Sequence, residues 1–428
     1  MSDSFKEATR ISSNCFTRDR KLSFTDTMVF ILRSAYKTLS VEIDQFFQQI
    51  SVDQSPPSKQ AVSKARMKIK HTGFKEINDL ILEEYYSEPY KTYKGYRLLA
   101  ADGSSMQLPS GDSITEAFGK MKHQSDSFNS GHSLTVYDVL NNMLIDSKLN
   151  DYGRSERTYL IDQLETMKKE GKQKKDIIIA DRGFPSISIF VRMKQAGYDF
   201  VIRYTGKHYL SELFGFDHSD AVDEIVEISL KALGKRQAGG ELAKLLASGC
   251  EDTIKVRVVK IQLKSGETEY LVTSILDKDV LSIQDLEKIY GLRWGIEEEF
   301  KTLKHTMEIE NFSAKTEETV LQEYHSKIVI YNLHSTLVQE AQKQLDEKVR
   351  TNPKMKYESY QINQNVSYGL VRHRIIELFS QHGGDWEKAY DYLIKAVQRN
   401  PIPIKPDRSY PRNHKHSLRF PINRRRAV

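Results

Sequence analysis

Cysteine is scarce in this sequence, and no long apolar run occurs. The two cysteines of the 428 residues, Cys15 and Cys250, lie far apart and outside any CxxC or Cys/His spacing, which excludes a disulfide framework and a structural zinc site. No stretch approaches the roughly 18 consecutive apolar residues of a membrane span, and the N-terminal segment lacks the apolar run of a signal peptide. We therefore expect a cytoplasmic protein with free thiols and no membrane partner.

Negative charge is nearly missing from the C-terminal tail. From Pro401 onward the sequence holds eight Lys or Arg residues and one acid, Asp407, so the tail carries a charge of +7. Since the whole chain has a net charge of +6, the residues before the tail carry about −1. A Pro-rich basic tail over 401–428 without hydrophobic periodicity is typical of an extended arm that binds a polyanion. A tail that only increases solubility has the same composition. Nucleic acid is therefore a candidate partner.

The first part of the sequence is helical in pattern. With 39% apolar residues, the chain can bury the cores of two or three domains. Residues 1–90 predict a helical N-terminal domain, with a capping-box start at Ser23. A later helix carries Lys64, Arg66 and Lys68 and follows two prolines. It fits a recognition helix that binds DNA phosphates and base edges, and it fits a solvated basic helix about equally well.

Strand patterns begin near Tyr96. Over 91–204 the elements follow the order βββαβαβ, with a hairpin turn at Asn141-Asn142 and a β-branched strand that ends at Asp181. This order predicts an α/β fold with a ribonuclease-H-like mixed sheet flanked by helices. The remaining boundaries are a β-rich insertion over 205–280, a core helix with its flanking segment over 281–320, a helical C-terminal region over 321–400 and the basic tail over 401–428.

The predicted core helix, "YGLRWGIEEEFKTLK", carries two adjacent stripes. The apolar stripe runs from Ile289 to Met307, and next to it lie polar residues separated by three, four and seven positions: Tyr290, Arg293, Glu297 and Lys304. Such spacings keep the polar residues on one helix face with only ~40° of drift. Because the stripes touch, the polar one is expected to border the core, while Glu298 and Glu299 are expected to be solvated. By itself, an Arg293 to Glu297 pair is a common intrahelical salt bridge.

Two aspartates follow apolar strands. Asp102 comes after "LLAA" and Asp181 after "IIIA", and each is followed within two residues by glycine. Carboxyl ends of strands are where α/β sheets place functional groups, although Asp-Gly is also an ordinary turn signal. If the two strands are neighbours and Glu297 reaches them, the three carboxylates form an all-oxygen site suited to two Mg²⁺ or Mn²⁺ ions.

Such a site implies a reaction class. With two divalent ions, one activates water or a 3′-hydroxyl and the other stabilises the leaving oxygen, which predicts phosphodiester hydrolysis or transesterification. Arg293 and Lys304 would then bind backbone phosphates, Arg in fork geometry and Lys as a point charge. Tyr290 would donate a hydrogen bond to a phosphate near the cut.

These residues carry a resemblance to a known family. The spacing of Tyr290, Arg293, Glu297 and Lys304 resembles the YREK signature of insertion-sequence-four family DDE transposases of bacteria. The segments "ADGSSMQLP" and "ADRGFPS" are similar to that family's first and second aspartate motifs, and "LVTSIL" also fits. The resemblance spans roughly Tyr96 to His305. It implies a ribonuclease-H-like core, a DNA-binding N-terminal region and cut-and-paste transposition through terminal inverted repeats.

The leading hypothesis is thus a Mg²⁺-dependent transposase that acts as a homodimer on paired ends of double-stranded DNA and joins them to target DNA, in the bacterial cytoplasm at the nucleoid. A non-catalytic DNA-binding protein derived from a transposase and a metal-dependent endonuclease without strand transfer are the alternatives. Hairpin-forming relatives stack a flipped base on a tryptophan of the insertion. The two tryptophans of this chain, Trp294 and Trp386, lie outside it, so the substitutes would be other aromatic residues: Tyr209, Phe214, Phe216 or Tyr270.

Overall fold

A computed structural model of the chain describes residues 1–18, 20–33, 37–50, 55–123, 126–204, 222–236, 240–262, 266–352, 355–379 and 385–405. The chain divides into two compact units. The first unit consists of Met1–Glu88, Met106–Gly131 and Lys301–Val428, and the second unit of Pro89–Ser105 and His132–Phe300. Two predicted features lie outside the described residues, namely the tail from residue 406 onward and three of the aromatic residues proposed as a base-stacking group: Tyr209, Phe214 and Phe216.

Helices make up most of the first unit and flank the strands of the second. In chain order they are α1 (Asp3–Thr9), α2 (Phe24–Leu32), α3 (Leu39–Ile50), α4 (Lys59–Arg66), α5 (Thr72–Ser87), α6 (Asp112–Phe118), α7 (Glu156–Lys169), α8 (Ile187–Ala196), α9 (Leu230–Arg236), α10 (Glu241–Ala247), α11 (Ile283–Gly291), α12 (Trp294–Lys301), the π-helix Thr302–Thr306, α13 (Glu317–Thr351), α14 (Gln364–Phe379) and α15 (Asp385–Val397). Within the described parts of the chain, no helix has both the length and the hydropathy needed to cross a bilayer.

Nine of the strands form one mixed sheet. In chain order the strands are β1 (Arg97–Gln107), β2 (Lys120–His123), β3 (Asp126–Asp138), β4 (Met143–Asn150), β5 (Asp176–Ala180), β6 (Asp199–Tyr204), β7 (Asp223–Ser229), β8 (Thr253–Gln262), β9 (Thr268–Thr273), β10 (Tyr360–Ile362) and β11 (Pro401–Pro403). The sheet order is β2-β3-β1-β5-β6-β9-β8-β7, with β4 paired to β3, while β10 and β11 form a separate ribbon. The predicted mixed sheet with flanking helices is confirmed.

Strands β1, β5 and β6 are parallel and form the centre of the sheet. Strand β5 is buried along its whole length, as its Ile-Ile-Ile run predicts for a strand covered on both faces. Strand β9 pairs antiparallel with β6, and β8 with β9, so the hairpin of the predicted β-rich insertion extends the same sheet. The predicted β3–β4 hairpin is present, with Asn142 in the left-handed region at φ 51°.

The first unit is built around α13, a 35-residue helix whose N-terminal two thirds are largely buried. The predicted capping box of α2 is present, because the Ser23 side chain accepts from the Asp26 amide and the Asp26 carboxylate accepts from the Ser23 amide. Helix α11 has the same arrangement at Ser282 and Asp285. Both helix starts could therefore be predicted from the S-x-x-D pattern alone.

The single core helix predicted over "YGLRWGIEEEFKTLK" is wrong, because the structure divides it. Helix α11 ends at Gly291, α12 begins at Trp294, and Thr302–Thr306 is π-helical. At the break, the amides of Gly295 and Ile296 donate to Leu292 and Arg293 three residues back rather than four. Two glycines lie in this segment, and glycine lowers helix propensity by roughly 1 kcal/mol relative to alanine. The apolar stripe from Ile289 to Met307 is nevertheless buried, with only Leu292 partly exposed.

The buried His334 is expected to make the free energy of unfolding depend on pH. Burial lowers the pKa of His334 from 6.5 to about 4, and its Nε2 lies 2.7 Å from the Ser367 hydroxyl. Because the unfolded chain takes up this proton near pH 6.5 and the folded chain only near pH 4, stability falls as the pH drops through that window. At 1.36 kcal/mol per pKa unit, the loss reaches at most ~3 kcal/mol. Urea unfolding of wild type and His334→Gln at pH 7 and pH 5 measures it.

In that experiment, the wild type is expected to lose more stability on acidification than the His334→Gln variant. The exposed His305, in the same unit, provides the matched control, and His305→Gln should keep the wild-type pH dependence. Equal pH dependence in the wild type and in His334→Gln would show that His334 does not carry the effect.

Candidate active site

The register of the central strands places the two predicted aspartates side by side. Strands β1 and β5 pair in parallel, with Ala101 opposite Ala180. Asp102 and Asp181 are the residues that directly follow this last registered pair. β1 differs from the prediction in one respect: it continues to Gln107, and only its pairing with β5 ends at Ala101. Two acids far apart in the sequence therefore reach one edge of the sheet.

Each aspartate is oriented by a local amide. The Asp102 Oδ1 accepts from the Gly103 amide at 2.8 Å, and the Asp181 Oδ1 accepts from the Gly183 amide at 2.7 Å. In both cases the amide of a glycine just after the acid binds one carboxylate oxygen. Gly103 does so from within β1, and Gly183 from the turn that follows β5.

The environment of Asp102 is unfavourable for its negative charge. The pKa of Asp102 is raised to about 6, mainly by burial and also by the charges of Asp181 and Glu156, while the Gly103 amide and Arg293 oppose the shift. A carboxyl with nearby like charges is destabilised in its ionised form unless a cation compensates. This pair of acids is therefore electrostatically prepared for a cation.

Glu297 lies on α12, in the same unit as the aspartates. One of its oxygens accepts from Arg293 Nη2 at 2.7 Å, as the spacing predicts. Tyr290 and Arg293 are both buried, at 6% exposure each, which confirms that the polar stripe borders the core. The Tyr290 and Arg293 side chains interact electrostatically with each other. The Tyr290 hydroxyl and Arg293 Nε are both buried, and neither has a hydrogen-bond partner of good geometry among the described residues.

One prediction about this segment needs correction. Glu299 is buried, at 7% exposure, whereas the sequence predicts a solvated charge. Lys304 belongs to the first unit, in the π-helix, and its Nζ lies 3.9 Å from Glu310. The phosphate contact of Lys304 stays a prediction.

The residues present fit a divalent cation in kind. Asp102, Asp181 and Glu297 offer only oxygen ligands, which Mg²⁺ and Mn²⁺ prefer, and two of the three occupy neighbouring strand positions. Within the described ranges, however, no three acidic, histidine or cysteine side chains are close enough to form a metal site. Glu297 is paired with Arg293, and a metal contact would have to replace that bond.

Sequence reasoning missed two residues at this edge, His132 and Glu156. Glu156 is the first residue of α7 and follows its capping Ser155. A carboxylate there is also explained by the helix dipole alone, since acids are common in the first turn. His132 stands in a strand without any recognisable motif. Long-range packing, which the sequence does not specify, brings both residues close to Gly103.

The N-terminal helices of the first unit form an open groove of about 1360 Å³. Its floor includes Leu22 and Ala65, and its described lining contains no acid and these basic residues: Arg18, Arg20, Lys21, Lys64 and Lys68. Lys64 is exposed, and the Lys68 ammonium lies 5.9 Å from the Phe16 ring centroid. Both predicted lysines therefore face one electropositive surface, which we call the basic groove.

Arg66 points elsewhere. It is 7% exposed, and its guanidinium donates to Glu323 at 2.8 Å, to Ser313 at 3.1 Å and to the Thr319 carbonyl at 3.2 Å. A guanidinium with this many partners inside the fold does not fit the predicted contact with DNA. Its role is to fasten α4 to α13.

A comparison with protein families decides the identity. Residues 93–333 match the family model described as Transposase DDE domain, which is more than half of the chain. The chain belongs to the Transposase DDE domain family. The segment of this DDE transposase that matches the family model includes Asp102, Asp181 and Glu297. It begins after the residues that line the basic groove.

Structural similarity was found as well. The transposase is similar to a chain in the cryo-EM structure of a piggyBac transposase synaptic complex with hairpin DNA, with 12% sequence identity and a TM-score of 0.47 over 94% of this chain and 82% of that one. No curated protein sequence matches.

Proposed function

We propose that this DDE transposase belongs to the insertion-sequence-four family and moves a bacterial insertion sequence by cutting and joining DNA at terminal inverted repeats. The observation that supports it best is the strand register that sets Asp102 beside Asp181. Glu297, on the helix that carries Tyr290 and Arg293, supplies the third acid. In this proposal the sheet around β1, β5 and β6 is a ribonuclease-H-like core, and the enzyme works as a homodimer on paired DNA ends.

The chain's own residues have separate roles in this reaction. Asp102, Asp181 and Glu297 would hold Mg²⁺ or Mn²⁺, which supplies nucleophile activation and stabilisation of the leaving oxygen. Arg293 would bind a backbone phosphate in fork geometry, and Tyr290 would donate its hydroxyl to a phosphate oxygen. Lys304 would contribute a point charge. Because Tyr290 and Arg293 are buried, their side chains would have to become accessible when DNA binds.

The test is an assay of the full-length protein on DNA that carries the element's ends, with Mg²⁺ and a target duplex. We expect strand cleavage followed by joining of the cut ends to the target. Cleavage without joining would indicate an endonuclease, and binding without cleavage would indicate a DNA-binding protein derived from a transposase. Sequencing the DNA that flanks the gene identifies the short inverted repeats to be used.

The basic groove is proposed to bind the phosphates of the element's end. A Lys64→Gln/Lys68→Gln double variant is expected to bind end DNA more weakly. The negative slope of the logarithm of the association constant against the logarithm of the salt concentration should become shallower by about 2, since each lost phosphate contact removes about 0.9. Fluorescence anisotropy across a salt series measures both quantities.

Lys59→Gln provides the control, because Lys59 is exposed on the same helix but does not line the groove. An unchanged slope in the double variant, or an equal change in the control, would contradict the proposal. Arg66→Gln is a poor test, since it breaks the buried contacts between α4 and α13.

A further inference from the structure

Asp181 is the first residue of a tight turn that leads out of β5. The Phe184 amide donates to the Asp181 carbonyl at 3.2 Å, which closes a β-turn with Arg182 and Gly183 at its two central positions. The Asp181 carboxylate adds a second hydrogen bond across the turn, because it accepts from the Gly183 amide at 2.7 Å. The turn is therefore held by its backbone and by the carboxylate of the proposed active-site acid.

Neighbouring contacts fix this turn further. Phe184, at its last position, is fully buried. Arg157 donates from Nε to the Gly183 carbonyl at 2.8 Å, which ties the first turn of α7 to the turn after β5. A Cβ atom added at Gly183 would be 3.0 Å from Asp181 Oδ1, so a larger residue there would press on the carboxylate. The backbone at position 182 is thus fixed relative to Asp181.

The Arg182 side chain is exposed on this fixed turn. Among the described residues its guanidinium has neither an ion-pair partner nor a hydrogen-bond partner, although Asp181 directly precedes it. Arg157, by contrast, binds a carbonyl of the fold. A guanidinium held on a fixed backbone and unused by the described fold is available to a ligand, and its fixed attachment lowers the entropy cost of binding.

The charge of the neighbouring residues indicates which ligand fits. The edge of the sheet presents Asp102 and Asp181, whereas the DNA of the proposed function is a polyanion. Arg293 does not offer an exposed charge at this edge, because it is buried and donates to Glu297. Arg182 places an exposed positive charge directly beside the acids, in the planar fork geometry that matches a phosphate.

We propose that Arg182 binds a backbone phosphate that flanks the scissile phosphate and so holds the cut strand against Asp181. This inference rests on the proposed function, which supplies the DNA strand. Because the turn fixes position 182 relative to Asp181, the contact sets the position of the strand with respect to the active-site acid. Arg182 is thus a substrate-binding residue and takes no part in breaking the bond.

Single-turnover cleavage of end DNA by the full-length protein, with single methylphosphonates in the DNA, tests this contact. Each methylphosphonate removes the charge of one phosphate, at the two nearest positions on either side of the scissile phosphate. In the wild type, one of these replacements should lower the cleavage rate roughly tenfold, the size expected for a charge-assisted hydrogen bond. Arg182→Gln should show the same loss on unmodified DNA. That methylphosphonate should then cause no further loss in the variant, because both changes remove one interaction.

Lys169→Gln is the matched control. Lys169 is also exposed and has no partner among the described residues, but it lies at the opposite end of α7 from Arg157. This variant should cleave at the wild-type rate, and each methylphosphonate should lower its rate by the wild-type factor. Arg182→Lys, which keeps the charge without the fork, should retain part of the lost rate. Circular dichroism should show equal folding of all variants.

Failure of this inference and failure of the proposed function give different results. If the wild type cleaves, and every methylphosphonate slows Arg182→Gln by the same factor as the wild type, Arg182 does not bind a flanking phosphate and the proposed function stands. If the wild type does not cleave end DNA, the proposed function is wrong and the role of Arg182 falls with it.

Discussion

Replacing Asp102 by asparagine is expected to reduce strand cleavage at least ~100-fold, since even outer-shell partners of metal ligands cost about 10- to 100-fold when lost. Asparagine has nearly the same shape as aspartate, and its amide oxygen can still accept from the Gly103 amide. What disappears is the negative charge beside Asp181. Single-turnover cleavage of pre-bound end DNA with Mg²⁺ measures the loss without a contribution from DNA binding.

The neighbouring acids make this experiment specific. Asp181→Asn and Glu297→Gln should behave like Asp102→Asn, although Glu297→Gln also weakens the bond from Arg293. Asp162→Asn, on the exposed side of α7, should cleave like the wild type. Full cleavage by all three site variants would overturn the assignment of the active site. All variants should bind end DNA normally at low salt, because the basic groove is intact.

The positions of the two aspartates could be predicted because they depend on local rules. An apolar run followed by Asp and Gly predicts a strand and its end, and parallel neighbours bring such ends to one edge of the sheet. The sequence does not show that β1 and β5 are neighbours with Ala101 opposite Ala180. That follows from long-range pairing, as does the approach of His132 and Glu156 to Gly103.

The predicted core helix is correct near Arg293 and wrong further along. Periodicity assumes an unbroken helix, whereas the structure breaks it between Gly291 and Trp294 and makes Thr302–Thr306 π-helical. Glu299, which was expected to be solvated, is buried. The burial of Tyr290 and Arg293 and the pairing of Arg293 with Glu297 follow the prediction, because residues three and four positions apart stay close even at the break.

Arg66 illustrates a second limit of sequence patterns. Its position among lysines predicts a phosphate contact, but a helix exposes only some of its faces. The Val62, Ala65 and Arg66 side chains of α4 are buried, while Lys64 is exposed. Which basic residue of such a run is free depends on the acid that a distant segment presents, in this fold Glu323 on α13.

The second large effect is expected at Arg97 and Asp176, the ion pair that begins the β1–β5 register. The guanidinium donates to both carboxylate oxygens, at 2.7 and 3.0 Å, and the side chains are 2% and 0% exposed. Arg97→Met leaves a buried carboxylate without its cation, which should reduce the free energy of unfolding by ~3 to 5 kcal/mol. Urea unfolding followed by circular dichroism measures this loss.

The double variant Arg97→Met/Asp176→Leu then separates stability from function. Removing both charges also removes the unpaired buried carboxylate, so most of the lost stability should return. The backbone pairing from Leu98 to Ala101 persists in that variant, and it is this pairing that sets Asp102 beside Asp181. We therefore expect cleavage by the double variant to be close to wild type. If stability returns but cleavage does not, the ion pair is needed to fix the register at the site, and the backbone ladder alone is not sufficient.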